Sequence, residues 1–313
     1  MMKDAGTAPP DSGRKDGARR PAAPDGAAAD AGVTPPGRQS AYAAERRSGD
    51  ATVSALDPAR ERRRERVSVQ GVRIDVLDWD LAVSRIDAWA RLRSSRTVAI
   101  CNSHSVVTAR QDPAFAEALE LADMATADGM PVAWMLRRLG HPTQARINGP
   151  DLMLRYCEHA RRTGTSIFLY GNTEAVLSRL QDRLQARFAG LKIAGAISPP
   201  FRPMTEAEDA ALVATIERSG AGVVFVSLGC PKQERWMHAH RGRIPAVMIG
   251  VGAAFDYHAG TLARAPAWMR DHGFEWLHRL ASEPRRLWRR YLVTNTLFGI
   301  RAIGQLLRGK RGD

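Results

Sequence analysis

Two short segments of the sequence carry side chains of the kinds that move protons or bind phosphate. Asp128 lies in Ala127-Asp128-Gly129, where its carboxylate could act as a general base toward a hydroxyl group. Because Asp-Gly is also a common turn pair, a turn aspartate is the alternative interpretation. Arg146 could hold a phosphate or a sugar carboxylate through two hydrogen bonds. Asp151, in the same polar loop, could instead satisfy a helix N-terminus, and the sequence leaves these interpretations open.

A third polar segment, Pro231-Lys232-Gln233-Glu234, follows an apolar run and Gly229. Proline and glutamate at these places are typical of a helix start, but the preceding glycine also suits a nucleotide loop. The chain lacks the Walker A spacing, and Gly250-Val251-Gly252 lacks the third glycine of the dinucleotide pattern. We therefore expect a nucleotide contact here without a nicotinamide cofactor, and the sequence assigns no other cofactor.

Asp78-Trp79-Asp80 has the Asp-x-Asp spacing of many divalent-metal sites. It precedes a helical pattern over 81–92, where Asp80 is well placed to cap the helix. No further carboxylates nearby complete an oxygen site for a divalent cation. We therefore expect no bound metal.

Apolar runs rich in Val, Ile and Phe alternate with helical patterns from Val67 onward. The runs predict a short strand pair at 67–76 and strands at 97–101, 166–170, 191–197, 222–228 and 246–249. Helical spacing occurs at 81–92, 113–121, 132–139, 149–162, 173–188, 205–219 and 233–241. This alternation predicts a Rossmann-like α/β fold, a mostly parallel sheet with helices on both faces.

Polar residues and glycines follow the ends of several predicted strands. They are Asn102, Gly171-Asn172, Gly229, Gly252 and, four residues later, Asp256. The carboxyl ends of parallel strands share one edge of the sheet, and ligands bind in the crevice outside that edge. Glycine there allows a close approach of the backbone, and helix N-termini offer N–H groups to phosphate. The sequence therefore predicts one binding site along that edge.

Composition limits the class of protein. The 313 residues are 44% hydrophobic and 25% charged, enough for a packed core, and the formal net charge is +13. Three scattered cysteines form neither a disulfide framework nor a zinc site, which favours a reducing compartment. We expect no membrane span and no secretory signal. Residues 1–66, rich in Ala, Pro, Gly, Asp and Arg, predict a disordered tail.

The segment 273–313 is the second strong feature of the sequence. It holds nine basic and three acidic residues, interleaved with Trp, Tyr and Leu at helical spacing. This pattern favours a helix that lies on an anionic membrane surface. A packed helix with a solvated basic face and a nucleic-acid-binding face are the alternatives. Since aromatic residues at helical spacing do not form the stacking platforms of single-strand binders, we expect no nucleic-acid partner.

Taken together, the ordered motifs between residues 67 and 291 resemble the bacterial WecG/TagA/CpsF glycosyltransferases, glycosyltransferase family 26. The matching stretches are 127–132, 146–152, 168–171, 228–234, 250–256, 264–266, 275–280 and 283–286. The resemblance implies inverting transfer of a sugar from a UDP-sugar to a lipid-diphosphate-linked sugar, without a bound metal. It places the enzyme on the inner face of the cytoplasmic membrane, in the synthesis of cell-surface polysaccharide or exopolysaccharide.

The resemblance also implies roles for particular residues. Asp128 corresponds to the catalytic base, and Arg146 and Gln233 correspond to sugar-nucleotide contacts. The basic C-terminal segment is implied to dock on the membrane and to close the site. Its arginines correspond to Arg279, Arg285 or Arg286, and Arg289 or Arg290. The substrate-binding residues predicted from the motifs and the resemblance are Asn102, His104, Gly129, Arg146, Asp151, Gly171, Gly229, Pro231, Lys232, Gln233, Glu234, Gly252, Asp256, Arg264, Arg279, Arg285 and Arg286.

The chain departs from this family after its first core strand. Many members carry Thr-x-Asn there, whereas this chain has Ile100-Cys101-Asn102-Ser103-His104. The asparagine is kept and the threonine is not, so a hydroxyl role is absent or passes to Ser103 or His104. We then expect the donor or the acceptor to differ from those of the best-known members.

The sequence thus predicts three parts: a disordered tail at 1–66, an α/β glycosyltransferase domain at 67–272 and a membrane-associating basic segment at 273–313. We expect a cytoplasmic enzyme that is peripheral on the inner face of the plasma membrane, with a hexose, hexuronic acid or N-acetylmannosamine type of donor sugar. A UDP-sugar epimerase and a non-enzymatic basic module that binds membranes or nucleic acid are the alternative functions. The sequence leaves the oligomeric state open, including a homo-oligomer.

Overall fold

The computed structural model describes residues 64–309, apart from the side chain of Arg286. The predicted disordered tail lies outside the described residues except for its last three. Of these, Arg66 begins the first strand, and Arg64 Nε donates to Asp75 Oδ1 at 2.7 Å. Residues 64–66 therefore pack as part of the folded body, which starts slightly before the boundary drawn from composition.

A two-stranded antiparallel hairpin, β1 (Arg66–Val69) and β2 (Val72–Asp75), precedes the main sheet. Its turn residues Gln70 and Gly71 both have positive φ, 55° and 97°, as a tight hairpin turn requires. The apolar side chains of the hairpin join the core beside Ala99 and Ala125. The predicted strand pair is confirmed.

Six parallel strands form the main sheet: β3 (Arg96–Cys101), β4 (Met124–Ala127), β5 (Ile167–Gly171), β6 (Ile193–Ile197), β7 (Val223–Ser227) and β8 (Val247–Gly250). Their order across the sheet is β4-β3-β8-β7-β5-β6, and each neighbouring pair is parallel. Five of the six were predicted to within two residues. The sequence analysis missed β4, because Met-Ala-Thr-Ala lacks the branched apolar run of the other strands.

Helices connect the strands. They are α1 (Trp79–Arg91), α2 (Ser103–Ala109), α3 (Pro113–Glu120), α4 (Met130–Arg138), α5 (Gly149–Thr163), α6 (Glu174–Arg187), α7 (Glu206–Arg218), α8 (Lys232–Ala239), α9 (Ala254–Ala259), α10 (Ala267–Asp271), α11 (Glu275–Ser282) and α12 (Pro284–Gly309). On one face of the sheet, α1, α5, α6 and α9 share a buried cluster with β3, β5, β7 and β8. On the other face, α2, α3 and α4 pack near β3 and β4, and α7 and α8 pack near β5, β7 and β8. The predicted Rossmann-like α/β fold is confirmed.

Side-chain caps fix where several helices begin at the edge of the sheet. Asn102 Oδ1 accepts hydrogen bonds from the backbone N–H groups of the first turn of α2. Asn148 Oδ1 accepts from the backbone N–H of Asp151 at 2.9 Å and caps α5 in the same way. Asp78, and not the predicted Asp80, caps α1 by accepting from the backbone N–H of Leu81 at 2.8 Å. Asp80 cannot do so because it already lies inside the first turn.

The 26-residue helix α12 packs on α2 and on the β1–β2 hairpin rather than standing apart. Its Phe298 carbonyl accepts from Gln70 Nε2 at 2.9 Å, and Gln305 Nε2 donates to the Ser68 carbonyl at 2.7 Å. One face of the helix is buried, and the other exposes large apolar side chains. Within residues 64–309, no helix combines the length and the apolar character needed to cross a bilayer.

Candidate functional site

A cavity of about 1350 Å³ lies along the carboxyl edge of the sheet, where the sequence predicted a site. Loops that follow β3, β4, β7 and β8 line it from the sheet side, and α11 and α12 line it from the opposite side. The volume exceeds that of a typical small-molecule site, about 300–1,000 Å³. The cavity is therefore large for a single small ligand.

Asp128 lies in the wall of this cavity, one residue beyond β4. Its backbone N–H donates to the Cys101 carbonyl at 2.8 Å, so the end of β3 fixes its position. Burial raises the pKa of the Asp128 carboxyl and outweighs the positive charge of Arg146, which lowers it. Glu275 adds to the upward shift. A carboxylate with a raised pKa in a cavity is a candidate general base.

Arg146 lies beside Asp128, with its Nε 3.9 Å from Asp128 Oδ1. Its Nη2 donates to Glu275 Oε2 of α11 at 2.5 Å, and its Nη1 donates to the Arg270 carbonyl at 2.7 Å. Two hydrogen bonds between β4 and Ile147 anchor the loop that carries this arginine. The Nε atom is buried and has no hydrogen-bond partner among the described residues. Because Arg146 lines the cavity, its guanidinium places a positive charge beside any anion bound there.

Gln233 joins α8 to the loop after β8. Its Oε1 accepts from the backbone N–H of Gly252 at 3.1 Å, and its Nε2 donates to Glu234 Oε1 at 2.8 Å. These two bonds fix which end of the amide faces the loop. Burial raises the pKa of Glu234 to about 7. Gln233 lines the cavity, whereas Glu234 lies behind it and orients the amide.

Asp151 and Arg264 bind each other rather than facing the cavity. Arg264 Nη1 donates to Asp151 Oδ1 at 2.6 Å, and Arg264 Nη2 lies 3.3 Å from Asn148 Oδ1. Burial alone would raise the pKa of Asp151, but its hydrogen bonds and the charge of Arg264 hold it at about 2. The pair fastens the loop after α9 to the start of α5, and neither residue lines the cavity.

Gly171 serves backbone packing at the end of β5. Its φ is +117°, and a Cβ there would collide with the carbonyl oxygen of Ser227 on β7. Its neighbour Asn172 lines the cavity and donates from Nδ2 to Asp256 Oδ2 at 3.0 Å. Asn172 was noted as a polar residue after a predicted strand, but it was not included among the predicted substrate-binding residues.

Residues 100–104, where many members of the family that the sequence resembles carry Thr-x-Asn, also border the cavity. Ile100, Ser103 and His104 all line it. Burial, and after it the positive charge of Arg290, lowers the pKa of His104 to about 4, so its imidazole is neutral at pH 7. Its Nδ1 lies 3.4 Å from Thr108 Oγ1. Ser103 is thus the residue of this segment that brings a hydroxyl group to the cavity wall, beside an apolar side chain and a neutral imidazole.

The C-terminal helices supply the cavity wall opposite the sheet. Arg279 of α11 and Arg290 and Tyr291 of α12 line it, together with Trp276. The Arg279 Nε is buried and has no hydrogen-bond partner within the part of the chain described. Trp276 and Tyr291 were not predicted as site residues, because only the packing of α11 and α12 on the sheet edge brings them there. Tyr257 of α9 also lines the cavity and was not predicted, although it directly follows the predicted Asp256.

The structure thus gathers ten of the eighteen predicted site residues around one cavity. They are Asn102, His104, Asp128, Gly129, Arg146, Gly229, Gln233, Gly252, Asp256 and Arg279. Seven lie outside its lining: Asp151, Gly171, Pro231, Lys232, Glu234, Arg264 and Arg285. Lys232 and Arg285 are exposed, and Pro231 caps α8. The side chain of Arg286 lies outside the described part.

No group of three or more His, Cys, Asp or Glu side chains within residues 64–309 is placed to hold a metal ion.

A parallel α/β sheet whose carboxyl edge holds a large cavity, walled by its own C-terminal helices, defines an α/β enzyme with its ligands at the strand ends. The sequence profile of the glycosyl transferase WecG/TagA/CpsF family matches residues 67–312, and the chain belongs to this family. It is therefore a glycosyltransferase, as the motifs indicated.

The chain is similar to a characterised bacterial relative. It is 34% identical over 185 residues to the N-acetylglucosaminyldiphosphoundecaprenol N-acetyl-beta-D-mannosaminyltransferase of Bacillus spizizenii. The match covers 59% of this chain and 70% of the relative. The relative's name describes transfer of N-acetylmannosamine to a lipid-diphosphate-linked N-acetylglucosamine.

Proposed function

We propose that this enzyme transfers a sugar from a UDP-sugar to a polyprenyl-diphosphate-linked sugar, with inversion at the anomeric carbon. The observation that carries the proposal is the pairing of Asp128 with Arg146 in a cavity large enough for both substrates. The substrates of the Bacillus spizizenii relative support the same acceptor class and an N-acetylmannosamine type of donor. Hexose and hexuronic acid donors stay within the proposal, because the segment 100–104 departs from the Thr-x-Asn of many members of the family.

The proposed mechanism gives each of these groups one role. The acceptor hydroxyl attacks the anomeric carbon from the side opposite UDP, so one C–O bond forms while the bond to the diphosphate breaks. Asp128 takes the hydroxyl proton, and UDP leaves with added negative charge. Arg146, Arg279 and Arg290 line the cavity and can stabilise that charge. Such stabilisation is strongest where water is excluded, and residues of α11 and α12 form part of the wall around these groups.

Transfer of a radiolabelled sugar tests the proposal directly. A panel of UDP-N-acetylmannosamine, UDP-glucose and UDP-glucuronic acid is offered with a polyprenyl-diphosphate N-acetylglucosamine acceptor. We expect one donor to label the lipid fraction. Interconversion of UDP-sugars without a labelled lipid would point to an epimerase. Failure to bind any of these nucleotides, together with binding to nucleic acid that weakens steeply with salt, would point to a basic binding module.

We further propose that the enzyme is peripheral on the inner face of the plasma membrane. The outer face of α12, which we call the basic apolar face, exposes Trp288, Leu292, Ile300 and Leu307 beside Arg285 and Arg289. Exposed apolar residues in such number mark an interaction surface. Basic residues between them suit the anionic lipids of that leaflet.

Reversing two charges on this face should release the enzyme from anionic vesicles. Each basic residue near such a surface contributes about 1 kcal/mol, so Arg285→Glu with Arg289→Glu should weaken binding by roughly 30-fold or more. Cosedimentation with vesicles containing anionic lipid measures it. The matched control is Arg162→Glu with Arg218→Glu, two exposed arginines in the last turns of α5 and α7. Equal loss in both double variants would contradict docking through this face.

A further inference from the structure

A second, smaller cavity of about 360 Å³ lies between α11 and α12. We call it the interhelical groove. Five of its seven lining residues are aromatic or aliphatic. The lining consists of Trp276, Leu280, Trp288, Tyr291, Leu292, Asn295 and Thr296.

The groove adjoins the main cavity. Trp276, Tyr291 and Asn295 line both spaces, and the Trp276 and Tyr291 rings meet edge to face with their centroids 6.0 Å apart. At its other side the groove is bordered by Trp288 and Leu292, which also belong to the basic apolar face. The groove thus lies between the site of transfer and the surface proposed to meet lipid.

On both helices, a basic residue that lines the main cavity is closely followed by an apolar residue that lines the groove. On α11, Arg279 faces the main cavity while the next residue, Leu280, faces the groove. On α12, Arg290 faces the main cavity while Leu292 faces the groove. Cations on one side and an apolar channel on the other match a molecule whose diphosphate is joined directly to a hydrocarbon chain.

We infer that the interhelical groove binds the first isoprenoid units of the acceptor lipid, next to its diphosphate. This inference rests on the proposed function and adds a subsite to it. Burial of these units in an apolar groove contributes free energy in proportion to the area removed from water. The rest of the chain then continues along Trp288 and Leu292 into the bilayer. This accounts for an apolar groove that would otherwise stand open to solvent beside a polar site.

The test compares acceptors that differ only in chain length, in solution without membranes. N-acetylglucosamine diphosphate carrying a farnesyl chain is compared with the same compound carrying an isopentenyl chain. We expect kcat/KM to favour the farnesyl acceptor by at least about tenfold in the wild type, which corresponds to about 1.4 kcal/mol. Leu292→Gln should reduce this preference by roughly fivefold, and Leu292→Met should restore most of it.

Val293→Gln is the matched control. Val293 and Leu292 are neighbours on α12 and are 52% and 62% exposed, but only Leu292 lines the groove. Val293→Gln should keep the wild-type preference for the farnesyl chain. A wild-type preference near one, or equal losses in Leu292→Gln and Val293→Gln, would overturn the inference.

Calorimetry with farnesyl diphosphate and isopentenyl diphosphate separates the groove from the reaction. If no donor supports transfer but Leu292→Gln still weakens the binding of farnesyl diphosphate selectively, the proposed function fails and the groove stands. If transfer proceeds and neither the kinetic nor the binding preference depends on Leu292, the groove fails and the proposed function stands.

Discussion

The Asp128→Asn variant is expected to turn over roughly 10²–10⁴ times more slowly than the wild type. The amide has almost the same size as the carboxylate but cannot take a proton from the acceptor hydroxyl. Asn102, Gly129 and Arg146 remain in place around it, so the cavity keeps its shape. UDP binding should hold or tighten, because a negative charge beside Arg146 is removed. Initial rates of radiolabel transfer and calorimetric titration with UDP measure the two effects.

The pH profile gives a second readout of the same group. Burial raises the pKa of Asp128. As the pH is lowered, the rate should therefore begin to fall at a pH above the usual pKa range of a carboxyl group. We call this part of the pH profile the acid limb. The rate falls as pH decreases through that pKa, because the protonated carboxyl cannot act as a base. Glu275→Gln should move this limb to lower pH. The charge of Glu275 raises the pKa of Asp128, and Glu275 also pairs with Arg146, whose positive charge lowers that pKa.

Asp78→Asn is the control for this experiment. Asp78 caps α1 away from the cavity, and asparagine caps a helix as well as aspartate does. We expect its turnover and acid limb to match those of the wild type. Near-normal turnover of Asp128→Asn, with UDP binding intact, would remove Asp128 from the role of base.

Much of the fold could be predicted because its signals are local. The strands β5, β7 and β8 are continuous apolar runs, as expected when both faces of a parallel sheet are covered. The strand β4 could not be predicted this way, since four small residues become a strand only through pairing with β3. That omission affected the site, because without β4 the set of residues that follow predicted strands did not include Asp128.

Site residues could be predicted where the course of the backbone determines their position. They could not be predicted where their position depends on which side chains bind each other. The strand-end rule places Asn102, Gly229 and Gly252 around the cavity without knowledge of side-chain contacts. It cannot show that Asp151 binds Arg264, which lies 113 residues away along the chain. Nor can it show that α12, predicted from its pattern to lie on a membrane surface, also lines the cavity.

The Arg146→Gln variant is the second change with a large expected effect. Loss of a preorganised donor to a developing negative charge costs about 10²–10³ in rate. We therefore expect kcat/KM for the donor to fall by that order, measured as radiolabel transfer at limiting UDP-sugar. Arg146→Lys should recover only part of it, because an ammonium keeps the charge but not the planar fork. The acid limb should move to higher pH, since the charge of Arg146 lowers the pKa of Asp128.

Arg161→Gln is the matched control, because Arg161 is an exposed arginine of α5 that pairs with Glu158 at 2.6 Å. It should leave the donor kinetics and the acid limb unchanged. The two measurements on Arg146→Gln distinguish the contact of Arg146 with the donor from its effect on Asp128. A loss of rate without a shift of the acid limb would mean that Arg146 binds the donor but does not tune Asp128. A shift without a loss of donor kcat/KM would mean that the diphosphate is held by Arg279 and Arg290 on the opposite wall, and that Arg146 serves the base alone.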